Sequence, residues 1–240
     1  MPSIYDQHVD WYPLIDPVAE HAEEAALYLS HLAPAPTRPS PTLLELGCGG
    51  GNNAWYLKRH FTCTLTDQSP RMLAVSQAQN PDCEHLVGDM TVLRLGRTFD
   101  AVFAQDALCY LTTEDQLRAA LATVAAHLAP DGVAVLAPDD LAETYEAGTD
   151  DLACDQGDRS LRGIEWCWDP DPTDGLTRTD YILALKTGEH VEVVHDTHIE
   201  GLFSRDTWLR LLAEVGLSAR VVPWTLEAGY AGELFVVRRA

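Results

Sequence analysis

The chain has 240 residues, of which 46% are hydrophobic, and its formal net charge is −21. The length fits a single α/β domain with an insertion, and the hydrophobic share excludes a disordered chain. The negative charge argues against a nucleic-acid partner and an anionic membrane surface, and solubility explains most of it. It is compatible with a neutral or cationic small-molecule substrate.

Up to residue 137, predicted strands alternate with predicted helices. An amphipathic helix covers residues 14–32, and the proline-rich stretch 33–41 follows as a linker. Such an alternation is typical of a doubly wound, parallel sheet. The other predicted elements are strands at residues 42–46, 61–66, 84–87, 101–104 and 133–136, with helices at residues 53–60, 70–79 and 114–128.

The pattern changes after residue 137. Residues 138–176 are acidic and contain tryptophans, and the following TRTDYILALK and HVEVVHDTHIEGLF predict a β-hairpin. A helix then begins after the predicted N-cap Ser204 and ends at Gly216. We interpret the chain as one domain, residues 1–240, with an N-terminal helical segment (1–33), a core (42–137), an insertion over the carboxyl edge of the sheet (138–203) and a closing helix with two strands (204–240).

A glycine-rich loop follows the first strand in the stretch LLELGCGGGNNAWYL, residues 43–57. Ligands of open α/β sheets bind at the carboxyl ends of the strands, and glycines let the backbone approach a ligand closely. The loop lacks the lysine of a P-loop, and its third glycine is out of place for the GxGxxG dinucleotide fingerprint. The loop therefore predicts a binding site for a ligand of another kind.

Acidic residues end the first three predicted strands. Glu45 precedes the glycine loop, where a buried carboxylate either accepts from backbone amides or attracts a cation. Asp67 ends the second strand, where a carboxylate can accept from both hydroxyls of a ribose. Asp89 ends the third strand and can accept from the exocyclic amine of adenine, while Met72 and Met90 can flank the ring.

The stretches ELGCGGG, LTDQSPRML, GDM, FDAVFAQDALCYL and LAPDGVAVL resemble, in order and in place, the motifs of class I S-adenosylmethionine-dependent methyltransferases. The resemblance covers residues 5–136 and is less sharp in the closing strands. It implies an α/β, doubly wound, Rossmann-like fold: a seven-stranded, mostly parallel sheet whose last strand is antiparallel. With it we predict a β-rich insertion over the active site.

The opening stretch IYDQHVDWYPLI resembles the N-terminal lid of methyltransferases that act on natural products and amino sugars. In such a lid a tyrosine near the start reaches the carboxylate of the cofactor. Tyr5 and Tyr12 are the candidates here, with Trp11 beside them. The alternative is that these aromatic side chains only anchor a terminal segment.

The resemblance implies S-adenosylmethionine as the cofactor. Glu45 and the backbone of the glycine loop would hold its methionine part, Asp67 the ribose, and Asp89 with Met90 the adenine. Gln105, just past the fourth strand, would lie at the amino-acid end. The predicted cofactor-binding residues are Tyr5, Tyr12, Glu45, Gly47, Cys48, Gly49, Gly51, Asn52, Asp67, Gln68, Met72, Asp89, Met90 and Gln105.

Methyl transfer from a sulfonium needs mainly geometry and a dry pocket, and a positioned base helps a nucleophile that must lose a proton. His195 and His198 lie three residues apart on a strand, so they face opposite sides. We predict that His198 points inward as the base, and the alternative is a surface histidine. Asp106 is the second candidate base, or else it braces the loop after the fourth strand.

The insertion supplies most of the predicted acceptor site, and the histidines there do not make a convincing metal site. Its acidic run either biases the pocket toward amines or is a solvated face. The predicted substrate-binding residues are Trp11, Glu165, Trp166, Trp168, Tyr181 and His195.

The six cysteines are scattered, without a CxxC pair, and the N-terminus lacks the basic start and apolar core of a signal peptide. No apolar run is long enough to span a bilayer. The sequence therefore predicts a cytoplasmic protein with reduced thiols.

The predicted function is methyl transfer from S-adenosylmethionine to nitrogen or oxygen of a small molecule, by in-line displacement, in natural-product biosynthesis. The predicted partners are a small-molecule substrate but no nucleic acid and no membrane, and the protein is a monomer or a homodimer. One alternative is a protein that binds the cofactor without turnover. The other is a nicotinamide-dependent oxidoreductase, against which the displaced glycine and the missing Tyr-x-x-x-Lys pair count.

Overall fold

A computed structural model describes residues 2–32 and 40–240 of the chain. Most of the predicted proline-rich linker, residues 33–39, lies outside the described residues. The strands are β1 (Thr42–Leu46), β2 (Thr62–Asp67), β3 (Glu84–Val87), β4 (Phe99–Gln105), β5 (Leu128–Ala137), β6 (Gly148–Gln156), β7 (Arg159–Trp168), β8 (Leu176–Thr187), β9 (His190–Gly201), β10 (Leu217–Thr225) and β11 (Ala231–Arg239). The helices are α1 (Tyr12–Ile15), α2 (Ala22–Leu32), α3 (Asn52–Leu57), α4 (Pro70–Gln79), α5 (Glu114–His127) and α6 (Arg205–Glu214).

The main sheet has seven strands in the order β10-β11-β5-β4-β1-β2-β3. Strands β1 to β5 pair in parallel, whereas β11 is antiparallel to both of its neighbours. The predicted fold class is therefore confirmed, including the antiparallel last strand. Because the strand order reverses between β1 and β4, the carboxyl ends of these strands form the crevice in which ligands of such sheets bind.

Helices cover both faces of the main sheet, as the buried, apolar strands of a parallel sheet require. On one face Trp208 of α6 stacks on Phe235, with ring centroids 5.1 Å apart. On the other face Tyr28 of α2 packs against Phe103, also at 5.1 Å. The central strands are thereby held rigid, and the loops that follow them are fixed in place.

The N-terminal segment is not the single helix predicted for residues 14–32. The helix α1 ends at Ile15, a short 3-10 helix covers Val18–His21, and only then does α2 begin. Asp16 has φ −134° and ψ 80°, away from helical values. Pro17 explains the break, because proline disfavours a helical conformation in the residue before it.

The insertion forms a second, four-stranded antiparallel sheet in the order β6-β7-β8-β9. The predicted hairpin is the pair β8 and β9, which turns at Gly188 with φ 59°. One face of this sheet, the inner face, packs on the N-terminal segment through a cluster of Ile4, Leu161, Leu183, Leu185 and Val194. The insertion therefore covers the carboxyl edge of the main sheet together with the N-terminal segment.

All six cysteines are free thiols. In the part of the chain that the structure describes, no helix has the length and hydrophobicity needed to cross a membrane.

Candidate active site

A cavity of about 620 Å³ lies at the carboxyl edge of the main sheet. Its walls are the loops after β1 to β5, the N-terminal segment and the inner face of the insertion sheet. We call the part beside the loops after β1, β2 and β3 the cofactor half. The part between the loops after β4 and β5 and the insertion sheet is the acceptor half.

The glycine loop after β1 needs its glycines for close packing and for its backbone angles. Gly47 has φ 72°, and a Cβ atom there would lie 2.2 Å from the Cβ of Ala107. A Cβ at Gly50 would lie 2.4 Å from the ring of Tyr12. Any larger residue would therefore push the N-terminal segment or the loop after β4 away from the cavity.

Gly51 does not line the cavity, so the prediction that it contacts the cofactor was wrong. It is the N-cap of α3 with φ 77°. A Cβ atom there would lie 2.4 Å from Ser76 Oγ and 2.5 Å from Asn80 Nδ2. The residue serves close packing between the loop and α4, on the side away from the ligand.

The carboxylates after β1 and β2 differ in their partners. Glu45 is 4% exposed, and its Oε2 has no hydrogen-bond partner. Burial raises the pKa of Glu45 to about 8. Asp67 accepts from the amide nitrogens of Gly49 at 2.9 Å and Ser69 at 2.8 Å. Its burial raises the pKa, against the opposing effect of these bonds.

These residues fit S-adenosylmethionine. The unpartnered oxygen of Glu45 lies in the wall of the cavity, where it can receive a donor from a ligand. Asp67 and Asp89 follow neighbouring strands, as a nucleoside requires of groups that hold ribose and base. The predicted cofactor residues in the cavity wall are Tyr5, Tyr12, Glu45, Gly47, Cys48, Gly49, Asn52, Asp67, Gln68, Met72, Asp89, Met90 and Gln105.

A charged network that the sequence analysis missed closes one end of the cofactor half. His21 lies between Asp16 Oδ1 at 2.6 Å and Glu24 Oε1 at 2.5 Å. Burial lowers its pKa, but both carboxylates outweigh this effect and raise it to about 10, so His21 is a cation. Asp16 also accepts from the hydroxyl of Tyr12 at 2.5 Å and from Asn52 Nδ2 at 2.9 Å. The only sequence signal is the i, i+3 spacing of His21 and Glu24.

Gln105 and Asp106 join the cofactor half to the acceptor half. Asn53 donates to Gln105 Oε1, and Gln105 Nε2 donates to Asp106 Oδ2 at 2.7 Å. Asp106 has φ 50°, a strained value for a residue other than glycine. Burial and the neighbouring Asp139 raise its pKa well above the usual range. This strained residue is itself part of the cavity wall.

Five acidic residues from two parts of the chain line the acceptor half. Asp106, Asp139 and Asp140 come from the loops after β4 and β5, and Glu165 and Glu200 from the insertion sheet. Burial raises the pKa of Glu200 to about 7 and that of Asp139 to about 6. Glu165 accepts from the hydroxyl of Tyr181 at 2.7 Å, and Glu200 from that of Thr179 at 2.9 Å. No lysine or arginine among residues 2–32 and 40–240 lines the cavity.

The predicted base His198 faces inward, as expected, but it does not line the cavity. Its side chain is 1% exposed and lies among the rings of Tyr5, Tyr110 and Tyr181. His198 Nδ1 lies 2.7 Å from the hydroxyl of Tyr110, which donates to the hydroxyl of Tyr5 at 3.1 Å. The direct role predicted for His198 is therefore corrected: only the tyrosines stand between it and a ligand.

The predicted substrate residues Trp166, Trp168 and His195 are on the wrong face of the insertion sheet. Alternation along β7 turns Glu165 and Cys167 toward the cavity, and so turns both tryptophans outward. The indole of Trp168 instead donates to Asp180 at 2.9 Å, and His195 Nε2 lies 2.8 Å from the same carboxylate. This outward side is the outer face of the insertion sheet.

Trp11 is also outside the cavity, and its ring packs under Arg159 at 4.0 Å. Of the predicted substrate residues, Glu165 and Tyr181 line the cavity. Cavity residues that were not predicted from the sequence include Ile4, Asp16, His21, Cys109, Tyr110, Asp139, Asp140, Tyr145, Cys167, Thr177, Thr179 and Glu200.

Three of these residues form a group that a metal ion could share. The ligand atoms of Cys109, Asp139 and Glu200 lie within 4.8 Å of one another. Burial raises the pKa of the Cys109 thiol well above its usual range, which disfavours the thiolate that a metal binds.

A doubly wound sheet with an antiparallel last strand, a glycine loop after β1 and acidic residues after β1 to β3 define a class I methyltransferase. A family model described as a methyltransferase domain matches residues 43–132. The match covers the strands and loops that build the cofactor half.

The chain is similar to curated methyltransferases over most of its length. A dTDP-3-amino-3,6-dideoxy-alpha-D-glucopyranose N,N-dimethyltransferase of Streptomyces fradiae is 30% identical over 208 residues, 85% of this chain and 78% of that protein. A trans-aconitate 2-methyltransferase of Escherichia coli strain 55989 is 30% identical over 214 residues, 79% of this chain and 81% of that protein. The crystal structure of Streptomyces venezuelae DesVI matches with a TM-score of 0.80 and 27% identity, over 97% of this chain and 98% of that chain.

The chain therefore belongs to the class I S-adenosylmethionine-dependent methyltransferases that act on small molecules. S-adenosylmethionine is its cofactor, and the protein is an enzyme that moves a methyl group to nitrogen or oxygen of a small molecule, as predicted. The two alternatives, binding without turnover and nicotinamide-dependent oxidation, are set aside.

Proposed function

We propose that the enzyme methylates the nitrogen of a small-molecule amine. The observation that carries the proposal is the acceptor half, which five acidic residues line and no described lysine or arginine enters. An aliphatic amine is an ammonium ion at neutral pH and is attracted to such a site. An acceptor that is itself a carboxylate would be repelled.

The acidic residues also provide a route for the proton that the ammonium must lose. When bound, S-adenosylmethionine supplies a methyl group that is already activated on a sulfonium. The chain then has to orient the amine, exclude water and accept a proton. Asp139 and Glu200, with pKa values of about 6 and about 7, suit this last task near neutral pH.

Of the two relatives, one supports nitrogen as the atom that receives the methyl group, and the other does not. The Streptomyces fradiae relative is named as an N,N-dimethyltransferase of an amino sugar, and the Escherichia coli relative as a trans-aconitate 2-methyltransferase. The acid-lined acceptor half suits an amine rather than a polycarboxylate. We therefore take an amine, in the setting of natural-product biosynthesis, as the acceptor class for this chain.

We also propose roles for the predicted site residues. Glu45 and the glycine loop hold the methionine part of the cofactor, Asp67 the ribose and Asp89 the adenine. Asp106 braces the junction of the two halves through Gln105 rather than acting as the base. His198 is a positioning residue, because it contacts the cavity-lining tyrosines, with a hydrogen bond to the Tyr110 hydroxyl, but does not line the cavity itself.

The remaining organisation is proposed as well. Residues 1–240 act as one methyltransferase domain, in which residues 1–33 form a lid and residues 138–203 cover the substrate. We propose a cytoplasmic enzyme, in agreement with its free thiols. We propose that neither nucleic acid nor membrane is its partner, in agreement with its charge of −21.

Of monomer and homodimer, we propose the homodimer, formed through the outer face of the insertion sheet. That face exposes Trp166, Ile182, Val193 and Ile199 by 40–73%. Asp180 lies on the same face, and its neighbours compensate the negative charge of its carboxylate. This carboxylate accepts from Arg178, Trp168 and Thr197 and lies beside His195. Val193→Glu should give monomers in light scattering, while Val92→Glu, at another exposed valine, should not. A wild-type monomer at every concentration would contradict the dimer.

Incubation with methyl-labelled S-adenosylmethionine tests the proposed function. The acceptors are matched sets of small amines, alcohols and carboxylic acids, and products are read by mass spectrometry. We expect label on nitrogen in the amine set. Label only on the carboxylic acids would contradict the proposal, and calorimetry with S-adenosylhomocysteine confirms in each case that the protein is folded and binds cofactor.

A further inference from the structure

Resting on the proposed function, we propose that the acceptor carries at least two positive charges and no phosphate, as in a free diamino sugar or diaminocyclitol. The acceptor is then not a nucleotide-linked sugar of the kind named for the Streptomyces fradiae relative. This inference concerns how the enzyme selects among amines, and its evidence is the placement of charge around the cavity.

A nucleotide diphosphate is bound by cations or by free backbone amides, and none of the lysines and arginines among residues 2–32 and 40–240 lies in the cavity wall. The sequence has 16 lysines and arginines, and those that the structure describes lie outside the cavity wall. Many are already paired on the surface, for example Arg178 with Asp180 and Arg205 with Glu233. Among the described lining residues His21 is the one basic side chain, and Asp16 and Glu24 already hold it.

Side chains cap the helix end nearest the acceptor half. Backbone amides at a helix N-terminus bind phosphate when they are free. At the start of α5, however, the Thr113 side chain accepts from the amide of Gln116, and Gln116 accepts from that of Thr113. Gln116 also accepts from the amide of Thr112 at 2.9 Å. These amides are therefore not available to a diphosphate.

The size of the cavity and the net charge give a third argument. A volume of about 620 Å³ must hold both cofactor and acceptor, so the acceptor that fits inside is small. A nucleotide would have to extend outside, where it would meet a protein of net charge −21. Both alternatives are unfavourable for a molecule that carries a diphosphate.

The acidic residues come from two separate parts of the cavity wall, the loops after β4 and β5 and the insertion sheet, and we take this spread to indicate more than one cationic group on the acceptor. Asp106 and Asp139 follow the adjacent strands β4 and β5, so they meet at the floor of the acceptor half. Glu165 on β7 and Glu200 on β9 lie on the inner face of the insertion, with the single strand β8 between them. One ammonium is therefore received near Asp139 and Glu200, and a second faces Glu165.

The test uses three acceptors: 2-deoxystreptamine with two amino groups, glucosamine with one, and a dTDP-linked amino sugar. We expect calorimetry on the protein with S-adenosylhomocysteine to rank their affinities in that order, with no measurable binding of the nucleotide. We also expect a KM for the diamine about tenfold lower than for the monoamine. Tighter binding or faster methylation of the nucleotide would overturn the inference and leave amine methylation standing.

Variants of the insertion locate the second charge. Glu165→Gln should raise the KM for 2-deoxystreptamine about tenfold and change that for glucosamine much less. Glu189→Gln, an exposed change of equal charge in the β8–β9 turn, should alter neither. Equal effects of Glu165→Gln on both amines would overturn the assignment of a second ammonium.

Two further outcomes separate the possible failures. Binding of the diamine without any methylated product would contradict the proposed function but support the cationic pocket. Activity that is lost with a chelator and restored by a metal ion would overturn the inference, since the metal would occupy Cys109, Asp139 and Glu200 instead of an ammonium.

Discussion

The two halves of the cavity are built from different kinds of sequence. The cofactor half comes mainly from the loops that follow the neighbouring strands β1, β2 and β3, where Asp67 accepts from the backbone amides of Gly49 and Ser69. The acceptor half is assembled from distant segments, so that Asp139 and Glu200 meet only in the folded chain. The first half suits one fixed ligand, and the second can change its acceptor by changing the insertion.

The largest effect is expected in the cofactor half, at Asp67. Asp67→Ala should weaken S-adenosylmethionine binding by about 3 kcal/mol or more, over 100-fold in Kd, because two hydrogen bonds from ribose hydroxyls to a carboxylate are lost. Isothermal calorimetry measures the change, and Asp131→Ala, on the exposed start of β5, is the control. Unchanged affinity would remove Asp67 from the ribose site.

Glu45 is the next test, because it makes the cofactor half sensitive to pH. Burial raises its pKa to about 8, so its contribution to stability is present at low pH and is lost as the pH rises through that value. The free energy of unfolding without cofactor should fall by about 2 kcal/mol between about pH 6 and 8. In Glu45→Gln this slope should be flatter, and an equal slope in denaturant titrations would contradict the assignment.

The acceptor half should respond to pH through its own acids. The raised pKa values of Asp139, about 6, and Glu200, about 7, keep both carboxyl groups neutral in acid and charged above neutrality. Around them lie Asp106, Asp140, Glu165 and the Cys109 thiol, whose pKa is also raised. Affinity for a cationic amine should therefore rise about tenfold from about pH 5.5 to 8.

Calorimetry with a quaternary ammonium analogue separates this effect from ionisation of the ligand. Such an analogue keeps its charge at every pH, so any change in its affinity reports the protein. Affinity that is constant over this range would show that Asp139 and Glu200 do not face the bound cation.

The smallest expected effect concerns the contact between Tyr110 and His198. Burial lowers the pKa of His198, so it is neutral at pH 7 and positions the Tyr110 hydroxyl by a hydrogen bond. His198→Ala should lower kcat about fivefold with little change in cofactor affinity. His198→Asn, which keeps a polar group near the position of Nδ1, should recover most of kcat. Failure of this rescue, with a normal melting temperature, would leave His198 a packing residue.

The sequence was informative about the cofactor loops, where residue type is tied to backbone conformation or to the end of a strand. Glycines with positive φ, such as Gly47 and Gly49, mark a loop that only glycine fits easily, and the acids after β2 and β3 are found at the strand ends as predicted. The strands β6 and β7 were not predicted, because GTDDLACDQ is acidic and lacks the alternation of a half-buried strand. Trp166 was predicted to bind substrate beside Glu165 without a strand assignment, and the alternation along β7 turns it away from the cavity.

The N-terminal segment was the harder case, because the contacts that attach it to the rest of the molecule are long-range. The 3-10 helix that carries His21 resembles helix in sequence, and only the break at Pro17 turns His21 toward Asp16. His198 was expected to be inside and is, but a strand pattern cannot reveal that Tyr110 screens it from the cavity. Predicting such contacts requires the packing of three separate segments, which no local pattern contains.

The N-terminal segment is bonded to both halves of the cavity at once. The amide of Ile4 donates to Asp196 in the insertion at 2.8 Å, and Ser69 Oγ, at the start of α4, donates to the carbonyl of Tyr5 at 2.9 Å. If the segment must open to exchange spent cofactor, these bonds break and the same opening frees the acceptor. On the proposed function, an amine that is methylated twice should then leave the enzyme between the two steps, so that its monomethyl product accumulates in solution first.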